Sequence, residues 1–260
     1  MDILEFAEQV TKRVREKLGD RYRVEVHEVR KNNNVKLTGM VILPECLNIS
    51  PTIYLDSFHE AYENGTEMDT IVESLLHLYE SGLPEKEIDM SFFQDFEQVR
   101  DRICYRLIHF ERNKEYLESV PYIPFLDLAI VFYYAYEGEQ IGKGTIAVCN
   151  NHLNMWKVGV TQIYEAAKEN TVGLYPQELL PMTDVLTMLL NDMEEDTSEL
   201  SERLDPEELL QAVPMQVLSN KERFFGAACM LYPNVLEQIA GDNKEGFFIL
   251  PSSIHEGATC

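Results

Sequence analysis

Near the carboxyl end, Ser252, Ser253, His255 and Glu256 bring together residue types that could do hydrolytic chemistry. A serine nucleophile needs a positioned general base and an oxyanion hole, and an imidazole beside a carboxylate can supply the base. The sequence contains no GxSxG nucleophile elbow, however. The same residues can begin a turn or a helix, in which Ser252 or Ser253 is the N-cap and Glu256 completes a capping box. The spacing favours this second interpretation.

Three further patterns are incomplete versions of known motifs. Two His-Glu dipeptides, at residues 59–60 and 255–256, do not continue to the HExxH spacing that places two imidazoles on one helix face, so no metal site is predicted. Residues 142–145 follow a strand but lack the phosphate-loop pattern, and no cofactor is expected. Cys149 and His152 lie close in sequence, whereas catalytic pairs are normally brought together by the fold.

These residues need a scaffold, and the stretch from residue 121 to 171 organises it. Residues 125–136 are almost wholly apolar and rich in aromatic and β-branched types, which predicts a central strand covered on both faces. The glycines that follow favour a turn, and residues 145–149 form a second β-prone run. Residues 161–170 have helical spacing with Thr161 as the N-cap. The stretch therefore predicts a strand-turn-strand-helix unit.

Trp156, the only tryptophan, lies in the connection before that helix. An indole removes a large apolar area from water, so Trp156 is expected to wedge the connection onto the sheet. A ligand-stacking role is the alternative, and it makes Trp156 a candidate binding residue.

The amino-terminal part predicts a helix and a hairpin. Residues 2–18 place apolar side chains at helical spacing, and Gly19 stands where a helix stops. Residues 22–29 alternate, which predicts a half-buried strand with an apolar side formed by Tyr22, Val24 and Val26. Asparagines at residues 32–34 favour the turn of a hairpin whose second strand ends at residue 43.

The other segments alternate between helices and strands. Helices are predicted at residues 56–64, 68–79, 113–120, 176–191, 207–212 and 233–240, and Asp56 or Ser57 can cap the first of them. Strands are predicted at residues 49–55, 215–218, 224–232 and 246–250. Residues 103–110 are compatible with either structure.

The element order predicts the α+β class, with mixed or antiparallel sheets and packed helices. Residues 1–192 are expected to form a main domain around the central unit, and residues 207–256 a smaller C-terminal ββαβ subdomain. The acidic segment 193–206 would link the two, and packing as one domain is the alternative. Residues 257–260 are small and carry no predicted element.

Net charge limits the possible partners. The 260 residues include 22 Lys and Arg against 45 Asp and Glu, a formal charge of −23. Such a surface repels nucleic-acid backbones and anionic lipids, so direct nucleic-acid or membrane binding is not expected. It can keep the protein soluble, attract a basic partner or imitate nucleic acid. The most acidic stretch supplies the candidate binding residues Glu194, Glu195, Asp196, Glu199 and Glu202.

Cysteine usage and hydropathy predict a cytoplasmic protein. The five cysteines are scattered without a CxxC pair, so neither a disulfide framework nor a zinc knuckle is indicated. Residues 1–19 carry charges throughout and lack the apolar core of a signal peptide. No apolar run approaches the ~20 residues that a membrane-spanning helix needs.

Four segments together resemble an uncharacterised family. They read ISPTIYLDSFHEAYENG from residue 49, LDLAIVFYY from residue 126, LSNKERFFGAACMLYPNVLEQIA from residue 218 and FFILPSSIHE from residue 247. The similar proteins form a domain-of-unknown-function family of anaerobic gut Firmicutes, often encoded on mobile genetic elements. The central block is also similar to a more widespread uncharacterised bacterial family. The resemblance implies a cytoplasmic bacterial protein, and it supplies neither an activity nor catalytic residues. Family members continue past the His-Glu pair with an apolar tail, from which residues 257–260 depart.

Charge and resemblance together predict a non-enzymatic, acidic protein-binding module. Its partner would be a protein with a basic surface, such as a nucleic-acid-binding protein, and an anti-defence inhibitor that mimics nucleic acid is one form of this function. A hydrolase-like enzyme with its site at residues 252–256 is the alternative. Self-association through an exposed apolar edge is a third hypothesis, and the sequence leaves the oligomeric state open.

Overall fold

The computed structural model describes residues 1–138, 142–192, 215–241 and 246–259. Helices and antiparallel sheets alternate along the chain, which confirms the predicted α+β class. None of the described helices is both long and apolar enough to span a membrane.

The chain divides into two compact units. Unit 1 contains Met1–Gln94, Arg112–Glu118 and Tyr136–Gly144, and unit 2 contains Asp95–Glu111, Ser119–Ala135 and Thr145–Cys260. The acidic linker 193–206 and the helix 207–212 lie outside the described residues. The domain boundaries at residues 192 and 207 therefore stay a prediction.

Unit 1 contains a three-stranded antiparallel sheet in the order β1-β2-β3. Its strands are β1 (Tyr22–Arg30), β2 (Lys36–Pro44) and β3 (Thr52–Tyr54). Asn33 and Asn34 adopt positive φ angles of 60° and 59° between β1 and β2. Asparagine tolerates this left-handed backbone better than most residues, and the predicted hairpin is confirmed.

Helix α1 (Ile3–Leu18) contacts β1. Asp2 and Glu5 form a capping box at its start, and Gly19 follows its last turn. Its apolar stripe is buried in a core shared with Val24 of β1, and the stripe consists of Phe6, Ala7, Val10 and Val14. The predicted helix 2–18 is thus confirmed, and α1 covers Val24 of β1.

Helices α2 (Asp56–Glu63) and α3 (Met68–Ser81) follow β3. Helix α3 adds Ile71, Val72 and Leu75 to the same core, and Phe58 and Tyr62 of α2 pack against it partly buried. The two helices are confirmed, but the predicted caps of α2 are wrong. The N-cap position belongs to Leu55, and neither Asp56 nor Ser57 caps the helix. The Asp56 carboxylate instead accepts the backbone N–H of Thr38 at 2.9 Å. The pairing of β2 with β3 brings this donor beside Asp56.

A second antiparallel sheet has β6 at its centre, paired with β4, β5 and β7. The strands are β4 (Ile103–His109), β5 (Tyr122–Phe125), β6 (Leu128–Gly138) and β7 (Gly142–Ala147). Residues 129–135 of β6 are all buried, which confirms a central strand covered on both faces. The ambiguous segment 103–110 is resolved as a strand.

The predicted strand 125–136 is wrong at its start, because the chain reverses there. Leu126 has a φ of 54° and is 88% exposed in the turn that joins β5 to β6. Phe125 then pairs directly with Leu128. A left-handed leucine is unfavourable by itself, so the pairing of β5 with β6 and not the local sequence fixes this turn.

Short helices α4 (Phe96–Val99) and α5 (Lys114–Leu117) precede and follow β4 in sequence. Helices α6 (Asn150–Trp156) and α7 (Val160–Leu174) follow β7. The helix α6 was not expected from the sequence, and Gly159 rather than Thr161 is the N-cap of α7. The hydroxyl of Thr171 accepts the N–H of Tyr105 at 3.1 Å, which ties α7 to β4.

A third sheet lies in unit 2 and has the order β10-β11-β9-β8. Its strands are β8 (Gln177–Pro181), β9 (Gln216–Asn220), β10 (Ile249–Pro251) and β11 (Gly257–Thr259). Helix α8 (Met182–Asp192) follows β8, and α9 (Val235–Ala240) confirms the predicted helix 233–240.

Three expectations for this region are wrong. The first residues of the predicted helix 176–191 form β8. Residues 226–231 form a buried 3-10 helix, and not the second strand of a hairpin. Residues 257–259, which carry no sequence pattern, pair as β11 between β10 and β9. The two strands β8 and β11 depend on partner strands that are distant in sequence, which local periodicity does not report.

Candidate functional site

The cluster with catalytic residue types forms the loop 252–256 between β10 and β11. The Ser252 hydroxyl donates to Glu256 Oε1 at 3.3 Å, and Ser253 Oγ accepts the backbone N–H of His255 at 3.0 Å. The N–H of Ser253 donates to the carbonyl of Glu256 at 3.2 Å. The segment is therefore a turn held by its own hydrogen bonds, and it does not begin a helix. The Glu256 carboxylate bonds to the Ser252 hydroxyl, whereas a capping box would pair it with a backbone N–H.

The His255 ring contacts Phe225. Its Nδ1 accepts the backbone N–H of Phe225 at 3.1 Å, and the two rings stack 5.6 Å apart at an angle of 11°. The His255 carbonyl accepts the Ser219 hydroxyl at 2.7 Å. Within the described part of the chain, neither serine of the loop hydrogen-bonds to the imidazole. The structure thus places the four candidate residues together but pairs the imidazole with backbone, and a neutral ring then carries its proton on Nε2.

The loop 252–256 lies over buried residues. Phe225 belongs to a buried cluster with Cys104 and Tyr133, and the Arg106 guanidinium carbon lies 4.7 Å from the centre of the Phe225 ring. Burial raises the pKa of the Cys104 thiol to about 12, and it raises the pKa of Cys229 to about 11. The nucleophile of a cysteine is its thiolate, so these buried thiols are unreactive at neutral pH.

Trp156 lies at the end of α6 and is 6% exposed. Its ring packs 6.0 Å from Phe96 and 5.5 Å from His152, centre to centre. The imidazole of His152 accepts the N–H of Cys149 at 3.0 Å, so this pair forms a capping hydrogen bond at the start of α6. Packing onto neighbouring rings is what the wedge interpretation of Trp156 expects. The ligand-stacking alternative stays a prediction.

The acidic binding residues Glu194, Glu195, Asp196, Glu199 and Glu202 lie outside the described residues. Another acidic segment is visible in unit 1, where residues 45–94 contain eleven acidic side chains and one basic, Lys86. Most of these carboxylates are exposed. Glu60, Glu67 and Glu80 have no basic partner in the described ranges, so this part of unit 1 keeps its negative charge.

A different arrangement lies at the outer edge of the sheet in unit 1. The N–H of Lys31 donates to Val35 O at 2.8 Å, and the N–H of Glu45 donates to Arg21 O at 3.1 Å. In an antiparallel pair, alternate residues direct their backbone groups to the partner strand. The odd-numbered residues of β1 therefore bond to β2. Its even-numbered residues direct N–H and C=O groups to the opposite side, where β1 is the edge of the described sheet.

One contact confirms this orientation. Arg15 of α1 donates from Nη2 to the carbonyl of Val24 at 2.7 Å. The backbone groups of Val26 and Glu28 have no hydrogen-bond partner among the residues that the structure describes. Free backbone groups on an exposed edge can pair with another chain.

Beside this edge, a groove of about 790 Å³ runs between α1 and β1. We call it the edge groove and define it by Leu4, Ala7, Thr11, Arg15, Val24 and Val26. Leu4 is 67% exposed and Val26 is 37% exposed, although both are apolar. The rim is charged, and its acidic residues Glu8, Glu16 and Glu25 outnumber the basic Lys12, with His27 beside them. The edge groove thus combines an apolar floor with unpaired backbone groups.

The described residues offer no comparable arrangement for metal binding, since they contain no group of three or more His, Cys, Asp and Glu side chains placed to hold an ion. The edge groove combines hydrogen-bond donors, acceptors and apolar surface, and this combination suits binding.

A family model matches residues 3–257. The chain belongs to DUF5688, a family of unknown function. The resemblance to an uncharacterised domain family is thereby confirmed. No curated protein and no solved structure matches the chain significantly. The DUF5688 match includes both the edge groove and the loop 252–256.

Sequence reasoning did not find the edge groove. The alternation of residues 22–29 predicted a half-buried strand with Tyr22, Val24 and Val26 on its apolar side, but of these three only Val24 is buried and Val26 is exposed. The signal that was missed is Leu4, an apolar residue of α1 that lies outside the buried stripe. Neither pattern reveals that β1 is an edge strand.

Proposed function

We propose that this DUF5688 protein is a non-enzymatic protein-binding module whose partner carries a basic surface. The edge groove carries the proposal. It exposes Leu4 and Val26 beside free backbone groups of an edge strand, and such surfaces are normally either protected or used for binding another chain. The loop 252–256 offers less, because its polar groups already bond to one another or to backbone.

The negative net charge of the chain supports a positively charged partner. The chain has a formal net charge of −23, and the segment 45–94, most of whose carboxylates are exposed, contributes a large part of it. A charge of this size attracts a basic protein over a distance and speeds the encounter, and salt weakens the attraction. Proteins that handle nucleic acids have basic channels. Occupying such a channel would make this protein an inhibitor, including one that acts against a defence nuclease encoded by a bacterial host.

A salt-dependent capture experiment tests the proposal. The tagged protein is incubated with bacterial lysate at low and high salt, captured proteins are identified by mass spectrometry, and each is then tested as a purified protein. We expect basic, nucleic-acid-handling proteins at low salt and weaker capture at high salt. Absence of any basic protein at low salt contradicts the proposal.

Two matched variants locate the contact. The double variant Leu4→Gln with Val26→Thr makes the edge groove polar without changing net charge. The control Leu78→Gln removes a leucine that is 51% exposed on α3, away from the groove. Binding of the purified partner should fall in the double variant and stay unchanged in the control. Equal binding by the double variant and the wild type would show that the groove is not the contact surface.

A further inference from the structure

We infer that the partner enters the edge groove as an extended segment and adds a strand to β1, and that Arg15 holds the place of this strand in the free protein. The inference rests on the proposed function and names its binding mode. It follows from three features of the described structure: the direction of free backbone groups, the side chains beside them and the contact of Arg15.

The backbone of β1 determines where a strand can pair. Val24, Val26 and Glu28 direct their N–H and C=O groups away from β2, as the hydrogen-bond register of the hairpin requires. An added strand would bond to these even-numbered residues only. Main-chain hydrogen bonds of this kind supply affinity in β-strand addition and require no particular partner sequence.

The side chains of β1 determine what the strand should carry. Residues directly opposite each other in a sheet point to the same face. A residue paired with Val26 would therefore project onto the face that holds Leu4, Ala7 and Val24. Space there suits an aliphatic or β-branched side chain, and the next residue of the segment would point to the opposite face.

Charge selects a cationic segment over a second copy of this chain. Glu8 and Glu16 on the rim are exposed, and neither has a basic partner within 4.0 Å in the part of the chain that the structure describes. Two copies of a chain with a net charge of −23 repel each other. An extended segment of alternating aliphatic and basic residues would place apolar side chains on the floor of the edge groove. Its positive charges would complement the negative charge of this chain.

Arg15 competes with the incoming strand. Its Nη2 lies 2.7 Å from the Val24 carbonyl, which is one of the acceptors that an added strand would use. Pairing at Val24 requires the guanidinium to move, so its hydrogen bond opposes binding. Arg15 is exposed and can turn to solvent without disturbing the core. It is therefore expected to lower affinity for any strand that extends as far as Val24.

Hydrogen exchange followed by NMR tests the binding mode. The probe is a synthetic peptide of alternating valine and lysine, and the control is the same peptide with N-methyl groups on the residues that face β1. Binding should slow exchange of the Val26 and Glu28 amides, whereas Arg23 and Glu25 are already protected by β2. The methylated peptide should leave all four amides unchanged.

Two variants test the place-holding role. Arg15→Met keeps the alkyl stem and removes the guanidinium, and Lys12→Met removes an equal charge from the same groove and leaves Val24 untouched. Loss of one hydrogen bond from a charged donor should tighten binding of the valine-lysine peptide by about threefold to tenfold in Arg15→Met. Lys12→Met reports the change that charge alone produces, and it should be smaller.

The outcomes separate the two proposals. If the purified partner binds but the Val26 and Glu28 amides stay unprotected, strand addition is wrong and protein binding stands. If the peptide binds neither wild type nor Arg15→Met, or if it binds the Arg15→Met and Lys12→Met variants equally, Arg15 is not a place-holder. If no basic protein is captured in the lysate experiment, the proposed function itself is wrong. Pairing of β1 with β1 of a second copy would appear as a dimer in sedimentation and would overturn the choice of partner.

Discussion

The loop 252–256 and the edge groove present opposite arrangements of polar groups. The loop contains serine, histidine and glutamate, yet these groups bond to each other or to backbone. The edge groove has an apolar floor with charged side chains at its rim. Backbone groups at Val26 and Glu28 beside it have no partner in the described ranges. The difference teaches that free hydrogen-bonding capacity beside apolar surface indicates a binding site better than residue type does.

The physical reason is the cost of an unpaired polar group. A donor that already has an intramolecular acceptor gains little from a ligand, whereas a donor that only water satisfies can exchange water for a partner. The Phe225 N–H belongs to the first class, since it already donates to His255 Nδ1. If the loop is structural and the groove is a binding surface, substitutions in the loop should change the free energy of unfolding more than substitutions in the groove.

The largest effect is expected for Gly226→Ala. A Cβ at residue 226 would lie 2.8 Å from the Asn220 nitrogen, and closer still to Ser219 Oγ and the His255 carbonyl. These are the atoms that dock the loop 252–256, so the variant should lose about 3 kcal/mol or more in free energy of unfolding, measured with urea. The control Gly257→Ala places its Cβ no closer than 3.9 Å to any neighbour and should be nearly neutral. Equal stability of the two variants would mean that the loop is not docked in this way.

Alkaline pH should destabilise the core beneath the loop. The Cys104 thiol has an ordinary pKa of 9.0, which burial raises to about 12 in the folded protein. Between these values the unfolded chain loses the proton first, so the stability that is present below pH 9.0 declines as pH rises toward about 12. The decline is about 1.4 kcal/mol per pH unit for each such group.

Urea unfolding across this pH range provides the measurement. The variant Cys104→Ala should show a shallower decline than the wild type, because one proton no longer takes part. The control Cys46→Ala removes an exposed thiol and should follow the wild-type curve. Parallel curves for all three proteins would contradict the buried position of Cys104.

A moderate effect is expected for His255→Ala. The substitution removes the acceptor of the buried Phe225 N–H and the ring stacked on Phe225, which should cost about 1–3 kcal/mol of unfolding free energy. Ser252→Ala removes an exposed hydroxyl and should change stability by less than about 0.5 kcal/mol. A neutral His255→Ala variant would contradict a structural role for this ring and return attention to the hydrolase hypothesis.

The smallest effect on stability is expected in the edge groove. Val26→Thr keeps the β-branched shape and leaves both backbone groups in place, so the free energy of unfolding should change by about 0.5 kcal/mol or less. Partner binding should nevertheless weaken, as measured with the purified partner by calorimetry. Strong destabilisation by this variant would mean that Val26 belongs to the core and that the groove is closed.

Sequence patterns predicted much of unit 1 because its elements are local. The helix 2–18 and the hairpin after it were both correct, since periodicity, capping residues and turn residues agree in each. Unit 2 was predicted less well. Leu126 turns the chain without a glycine, and residues 257–259 form a strand without a β-prone pattern. Both depend on strands that come from other parts of the chain.

By itself, the sequence determined the α+β class, the negative charge, the buried faces of α1 and β6, and the membership of residues 3–257 in an uncharacterised family. Only the tertiary structure decided that His255 Nδ1 is occupied by Phe225 and that β1 ends a sheet beside α1. The reason is that periodicity records which side of an element is buried, whereas hydrogen-bond partners and sheet edges are set by segments far apart in the chain.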